Sequence, residues 1–386
     1  MKILVDVVVV GAGCVGSYLA TLLSDLGLEV LVVDKDIDVA DSVNCSGIIG
    51  LKSFENFDLP KHVIQRKMQD IVVHSPSGST VEYSPKRPLA YVVDRASFDK
   101  ELCSKAQEKG VMYKMNCLVK DLVISDSGVK LSVNVNGQRQ NIHSKMCVLA
   151  TGFGSKIIGK IGLGEIKDFV QGAQVEASFD SLEETQIFLG RDIAPDFFAW
   201  IAPSVENRCK IGLISKNKAG HYLKKFLKND FLNGRIDSVS KMKVSLLPMG
   251  SLSKSFSDRV IAVGEAAGQI KPTTFGGIYY GFVCAEIAAK TVQRAFEIDK
   301  FDESVFSFYE IEWKKKILNE QKMALKFHKV FSAMNDERID SIVNLAKRNG
   351  VISLVDKFFD FDFHSSLITA LLSSTYKFWF KEEKIS

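Results

Sequence analysis

Neither sign of charge dominates this chain. Its 50 Lys and Arg against 46 Asp and Glu leave a formal net charge of +4. That balance is too mild to argue for nucleic acid, and no basic cluster is interleaved with stacking aromatics. Long hydrophobic runs are missing as well, since none approaches the roughly 20 residues that span a bilayer. Proline is scarce, at 8 residues, and neither a low-complexity linker nor an internal repeat divides the chain, so its units are expected to pack tightly. The seven cysteines (Cys14, Cys45, Cys103, Cys117, Cys147, Cys209 and Cys284) are odd in number and scattered. They form no CxxC or Cys/His ligand spacing, which supports no metal site, and several lie in apolar contexts where Cys acts as a small hydrophobe. The six histidines are isolated, with no Ser/His/Asp arrangement or paired carboxylates beside them. Met1 leads straight into an apolar strand, which leaves no room for a secretory leader. The expected location is a reducing cytoplasm.

What is present is a globular composition, 46% hydrophobic and 25% charged, on a chain of 386 residues, long enough for two or three structural units. The most informative stretch is ILVDVVVVGAGCVGSYLATLLSDLGLEVLVVD, residues 3–34. A β-branched run ends at Gly11, the glycine turn continues through Gly13 and Gly16, and a helical pattern follows with Leu19, Leu22, Leu23 and Leu26 inward. Gly27 stops the helix, and Val30 to Val33 form a second strand that ends on Asp34. This is a βαβ unit with a dinucleotide fingerprint. Gly11 permits the tight turn, Gly13 lets the backbone approach a pyrophosphate, and Gly16 allows close helix packing. The helix N-terminus offers unpaired N–H groups and a positive dipole end to the phosphates, and Asp34 is placed to bind an adenosine ribose. The element alone does not choose between NAD and FAD.

Two later segments share the same character. MCVLATG ends an apolar strand at Ala150-Thr151-Gly152, and VIAVGEAAG ends another at Gly264-Glu265. In a doubly wound sheet such strand ends meet at the ligand crevice. Between them, residues 165–247 change to short alternating strands (VQGAQVEAS, ETQIFLG, FFAWIAPS, RCKIGLIS and KVSLLPM) with one helix near 219–229, which reads as an antiparallel sheet. Residues 68–93 carry a hairpin signature around Ser75-Pro76-Ser77-Gly78, and 111–147 a three-stranded meander. The expected fold is α/β, or α+β taken whole. A Rossmann-like dinucleotide domain (1–65, 94–160 and 248–300) combines with a discontinuous antiparallel-sheet substrate domain (66–93 and 161–247) and a C-terminal helical region (301–386).

The set Gly11, Gly13 and Gly16 with Asp34, the Asp94-Arg95 to Phe98-Asp99 segment, Ala150-Thr151-Gly152 and GEAAGQIKPTTFGGIYYG at 264–281 resembles the FAD-dependent geranylgeranyl reductase family. That family lies within the para-hydroxybenzoate hydroxylase-like flavoproteins. The similarity runs from residue 3 to about 295. NCSG at 44–47 resembles a cysteine-containing loop of these reductases, and FFAWIAP at 197–203 their aromatic-x-Trp-x-Phe-Pro motif. The resemblance implies that FAD is held by Gly11, Gly13, Cys14, Val15, Gly16, Asp34, Lys35, Cys45, Ser46, Gly47, Arg95, Ala150, Thr151, Gly152, Gly264, Glu265, Gly276, Gly277 and Ile278. It places Gly276 and Gly277 at a helix N-terminus that faces the flavin N1–C2=O edge, where reduced flavin carries negative charge. Glu265 stands where the wider superfamily more often has Asp. Phe275 stands where the family usually has Gly, and Ala202 where an aromatic usually precedes Pro203.

The implied activity is reduction of C=C bonds in an isoprenoid chain on a lipid or related substrate, by hydride transfer from reduced FAD. Phe197, Phe198, Trp200, Pro203 and Phe275 are the expected substrate pocket, and Cys45 and Tyr279 the candidate catalytic residues. For each the plainer reading is a structural one: close approach for Cys45, core packing for Tyr279 and Tyr280, strand core around Trp200. The electron donor stays open between NAD(P)H and a ferredoxin-like protein. Peripheral membrane contact through Phe363, Leu367, Leu371, Leu372, Trp379 and Phe380 competes with packing of the same amphipathic segment on the protein. An FAD-dependent monooxygenase or halogenase is the alternative activity, since FAWIAP also resembles the Trp-x-Ile-Pro of flavin halogenases. A non-catalytic flavin-binding protein is the further alternative.

Overall fold

The protein is described from a computed structural model that covers residues 3–347 and 351–371. Strand β1 (Ile3–Val10) occupies the middle of the main sheet, with Val7, Val8 and Val9 fully buried. An apolar run without alternation is what a strand covered on both faces requires. It pairs in parallel with Gln138–Leu149 on one side and with β2 (Val30–Val33) on the other. Val260–Ala262 and Met112–Lys114 extend the sheet in parallel at its two flanks. The first half of the long strand Gln138–Leu149 also pairs with Gly128–Val135, which pairs with Cys117–Ser125. The meander expected over 111–147 therefore begins at Cys117, while Met112–Lys114 belongs to the parallel sheet.

Helix α1 (Cys14–Asp25) follows the glycine turn and buries Tyr18, Leu19 and Leu23. Leu26, expected inward, is 38% exposed, because it caps the helix where the chain turns out toward Gly27. Two missing side chains set how closely this unit packs. A Cβ on Gly11, whose φ is +117°, would overlap the Ala150 carbonyl oxygen, and a Cβ on Gly16 would overlap the Gly11 carbonyl oxygen. At Gly13, by contrast, a Cβ would meet nothing within 4 Å. A third close approach lies at Gly281 on the 20-residue helix Ile278–Glu297, where a Cβ would overlap Val15 of α1.

The second large sheet joins Phe169–Phe179, Arg208–Ser215, Phe198–Pro203 and Thr185–Leu189 in antiparallel order, with Lys243–Pro248 also on the Phe169–Phe179 strand. Ile71–His74 pairs with Thr185–Leu189 in parallel and with Thr80–Tyr83 as the expected hairpin, so one pairing in this otherwise antiparallel sheet is parallel. Ile48–Gly50, Ala90–Val93 and Ile64–Met68 form a small third sheet. From Glu303 on, the described chain is helical, including Glu303–Trp313, Asn319–Ser332, Asp336–Ala346 and Val351–Phe358. Residues 359–364 then cross back over the main body before a short helical turn at 365–371.

The glycines yield a paired stability test. Gly11→Ala forces a side chain into a positive-φ turn and a carbonyl group, and is expected to cost about 2 kcal/mol or more. Gly13→Ala has a compatible φ of −69° and open space, and is expected to cost less, on the order of 0.5–1 kcal/mol, because alanine is a poorer N-cap than glycine. Thermal melts of the two variants check the contrast; equal melting temperatures would refute it.

Candidate active site

The ends of β1, Gln138–Leu149 and Val260–Ala262 point to one side of the main sheet, and there a cavity of about 1240 Å³ opens. It exceeds the 300–1,000 Å³ of ordinary small-molecule sites and has two chemically distinct ends. The first is built from the strand ends. Gly11, Gly13, Cys14, Val15, Asp34, Lys35, Ala150, Thr151, Gly152, Gly264 and Glu265 line it. Gly13 caps α1 with no side-chain acceptor, so the first N–H groups of the helix are presented to the cavity. The Asp34 carboxylate accepts from the Ala12 N–H at 2.7 Å and the Asp36 N–H at 2.9 Å. The acid thus fixes the glycine turn from the inside. Gly16 is not on the wall, because it serves the packing of helix on turn.

Along the middle of the cavity lie Cys45, Ser46, Arg95, Gly276, Gly277 and Ile278. Arg95 is buried and ion-paired to Asp99 at 2.8 Å, with its other contact on the Cys14 sulfur at 3.5 Å. Burial works against the Arg95 charge, but Asp99 holds the guanidinium firmly protonated. Burial also pushes the Cys14 thiol up to about 12, against the pull of Arg95, so Cys14 is an inert wall residue. Glu265 is pushed above the usual carboxylate range by burial, with Arg95 opposing. The Cys45 sulfur accepts from the Gly47 N–H at 3.4 Å. Of the seven cysteines, Cys45 alone is not buried. Gly47 itself lies behind the wall. Its φ is +72°, and a Cβ there would come within 2.5 Å of the Val93 carbonyl oxygen.

The second end is apolar, and strand pleating explains its composition. Residues two apart share one face of a sheet, and the pairs Phe198/Trp200, Ile187/Leu189, Ile71/Val73 and Ser245/Leu247 all line the cavity. The intervening Ala199, Ile201 and Phe188 turn to the opposite face and pack with Leu223 and Phe226 of the helix Ala219–Phe226. This parity corrects two expected pocket residues. Pro203, an odd step from Trp200, is buried away from the cavity. Phe197, one residue before its strand, is buried against Phe275 at 5.7 Å and His328 at 4.4 Å. Phe275 lines the cavity at a φ of +58°, a left-handed conformation that suits glycine and strains an aromatic residue. Trp200 lies over the missing side chain of Gly212, and its buried indole N–H has no partner.

The remaining wall comes from the C-terminal segment, far along the chain from the strands it faces. Phe359, Phe361, Asp362, His364, Leu367, Ile368 and Leu371 close the cavity opposite the sheet. Lys271 joins this segment to the turn before Gly276, donating to Asp362 Oδ1 at 2.9 Å and to the Phe361 carbonyl at 2.8 Å. Tyr280 is buried and donates to the Asp362 carbonyl at 3.0 Å, while Tyr279 lines the cavity and accepts from Asn56 at 3.2 Å. Phe363 packs on both tyrosines. Of the residues weighed for membrane contact, Phe363 packs on the protein, Leu367 and Leu371 line the cavity, and Leu372, Trp379 and Phe380 lie outside the described residues. No helix among the described residues is long and apolar enough to cross a membrane.

Residues 4–193 match the FAD binding domain family. The chain is 29% identical over 351 residues to the digeranylgeranylglycerophospholipid reductase of Methanocaldococcus jannaschii, covering 87% of this chain and 89% of that protein. Among solved structures it resembles a geranylgeranyl bacteriochlorophyll reductase-like protein from Thermoplasma acidophilum, with a TM-score of 0.87 at 20% identity over 100% of this chain and 99% of that one. It also resembles p-nitrophenol 4-monooxygenase from Pseudomonas putida, with a TM-score of 0.74 at 14% identity over 98% of each chain. At these identities the two structures establish the fold. The exposed helix N-terminus, the cavity-lining acid Asp34 and the open Gly13 all suit a dinucleotide. The chain carries an FAD binding domain over residues 4–193 and is similar over most of its length to digeranylgeranylglycerophospholipid reductases.

Proposed function

We propose that this flavoprotein reduces C=C bonds of geranylgeranyl-type isoprenoid chains carried on a lipid, with the FAD and the chain held in one cavity. The observation that carries this reading is the cavity's division into a polar, glycine-lined end and an apolar end built from one sheet face and the segment 359–371. The names of the reductase relatives support the same substrate class.

When bound, reduced FAD supplies the hydride equivalent. The chain's own residues supply binding, alignment and a dry environment. Gly11 and Gly13 would let the backbone approach the pyrophosphate at the N-terminus of α1. Asp34 would meet the adenosine ribose, Arg95 would lie beside the linker, and Gly276 and Gly277 would face the flavin edge. Phe198, Trp200, Ile187 and Val73 would hold the isoprenoid against that edge. An isolated alkene is a poor hydride acceptor, so exclusion of water and alignment do much of the work. Cys45 and Tyr279 both line the cavity within this arrangement and are the proposed sources of the second hydrogen, as a proton. A monooxygenase or halogenase reading draws support from fold likeness and from the short FAWIAP resemblance, and the test below separates it.

Two outcomes are expected. Gly13→Val, with free space around its Cβ, should fold normally yet purify without the yellow flavin absorbance, because its side chain occupies the phosphate approach. A folded variant that retains full FAD would contradict the assigned cofactor position. Anaerobic incubation of the dithionite-reduced protein with a geranylgeranyl glycerophospholipid should add two mass units per bond reduced. Absence of any gain, together with oxygen-dependent product formation in air, would favour the oxygen-using alternative.

A further inference from the structure

Lys271 and Asp362 are both buried on the cavity wall, at 5% and 2% exposure. Each fills the place of a side chain that a glycine lacks. A Cβ on Gly276 would lie 2.8 Å from Lys271 Cε, and a Cβ on Gly50 would overlap Asp362 Oδ2. Neither glycine has the positive φ that would otherwise demand the residue. Space for the ion pair therefore accounts for both. The pair sits between the turn 271–277 and the strand Ile48–Gly50, two backbone segments that line the middle of the cavity. Lys271 also shapes that turn through its backbone, donating to the Gly276 carbonyl at 3.0 Å and accepting from the Phe275 N–H at 2.8 Å.

The charges around the pair are otherwise spoken for. Asp360 is paired to Lys52, and Glu320 accepts from Ser365. His364, bonded to Thr273 at 2.6 Å, is pushed down to about 4 by burial and then by Lys271, so it is neutral near pH 7. Asp362 Oδ2 has no hydrogen-bond partner despite full burial. A buried ion pair seldom improves stability over apolar packing, and an orphaned carboxylate oxygen makes this one less favourable still. Fold stability is thus a poor reason for its presence.

We propose that Lys271 and Asp362 are positioning residues whose opposed charges set how strongly the protein favours reduced over oxidised flavin. The inference rests on the proposed flavin position against Gly276 and Gly277. Reduced flavin is anionic at that edge, so in a low-dielectric site the Lys271 ammonium favours it and the Asp362 carboxylate disfavours it. The same contact ties the apolar wall of residues 359–371 to the flavin-facing turn, joining the substrate chamber to the electrostatics of the cofactor.

Anaerobic flavin titration of the holoprotein, with no isoprenoid present, tests this by sign. Asp362→Asn should shift the oxidised-to-reduced equilibrium about tenfold toward the reduced form, roughly 30 mV for a two-electron couple. Lys271→Gln should shift it by a similar factor the other way, and the double variant should return to within about threefold of the parent. Asp362→Ser and Lys271→Met replace these variants if either fails to fold. Shifts of the same sign, no shift, or loss of flavin from either folded variant would overturn the proposal. A parent protein that binds no flavin would instead sink the reading of the site, while one that binds flavin but reduces no isoprenoid would leave the potentials readable.

Discussion

The close approach of backbone to backbone at the glycine turn is the constraint on which the rest depends. Gly11 passes the end of the Gln138–Leu149 strand so tightly that a single Cβ would overlap the Ala150 carbonyl, and Gly16 lies equally tight beneath Gly11. These contacts bring the ends of three parallel strands to one crevice and aim α1 at it. Asp34 completes the arrangement by holding Ala12 and Asp36 through their N–H groups. A dinucleotide site of this kind is mostly backbone, which is why it is spelled with small residues.

On that frame the second sheet adds a surface of opposite chemistry. Its pleat sends Phe198, Trp200, Ile187, Leu189, Ile71 and Val73 to one face, while alternate residues pack against the helix Ala219–Phe226 behind it. The result is a polar groove that continues into an apolar chamber. A flavin and a hydrocarbon chain can share it only if one end supplies hydrogen-bond donors and the other excludes water. The C-terminal segment closes the chamber and is anchored by Lys271, at the junction of the two ends. Phe275 also lines the cavity at that junction, in a backbone conformation better suited to glycine.

Much of this was legible in the sequence because it rests on local patterns. The strand–turn–helix unit, the small-residue strand ends at 150–152 and 264–268, and the strands of the second sheet all follow from periodicity and glycine placement. What was not legible depends on contacts between distant segments. Lys271 and Asp362 are 91 residues apart, and periodicity tells which face of a helix is apolar without telling what it covers. Gly50 carried no turn signal, because its reason is the carboxylate beside it. The motif FFAWIAP places Phe197 and Pro203 beside Trp200 in sequence, yet strand parity and the strand's start at Phe198 turn them away. The amphipathic pattern near the C-terminus is compatible with a membrane surface, yet Phe363 packs on Tyr279 and Tyr280 while Leu367 and Leu371 line the cavity.

The central claim is that one cavity holds flavin and isoprenoid together. A crystal structure of the protein with FAD and a geranylgeranyl glycerophospholipid tests it most directly. The flavin is expected against Gly276 and Gly277, with the isoprenoid stacked between it and the Phe198/Trp200 face. A lipid bound elsewhere on the protein, or an apolar chamber filled by the flavin itself, would contradict it.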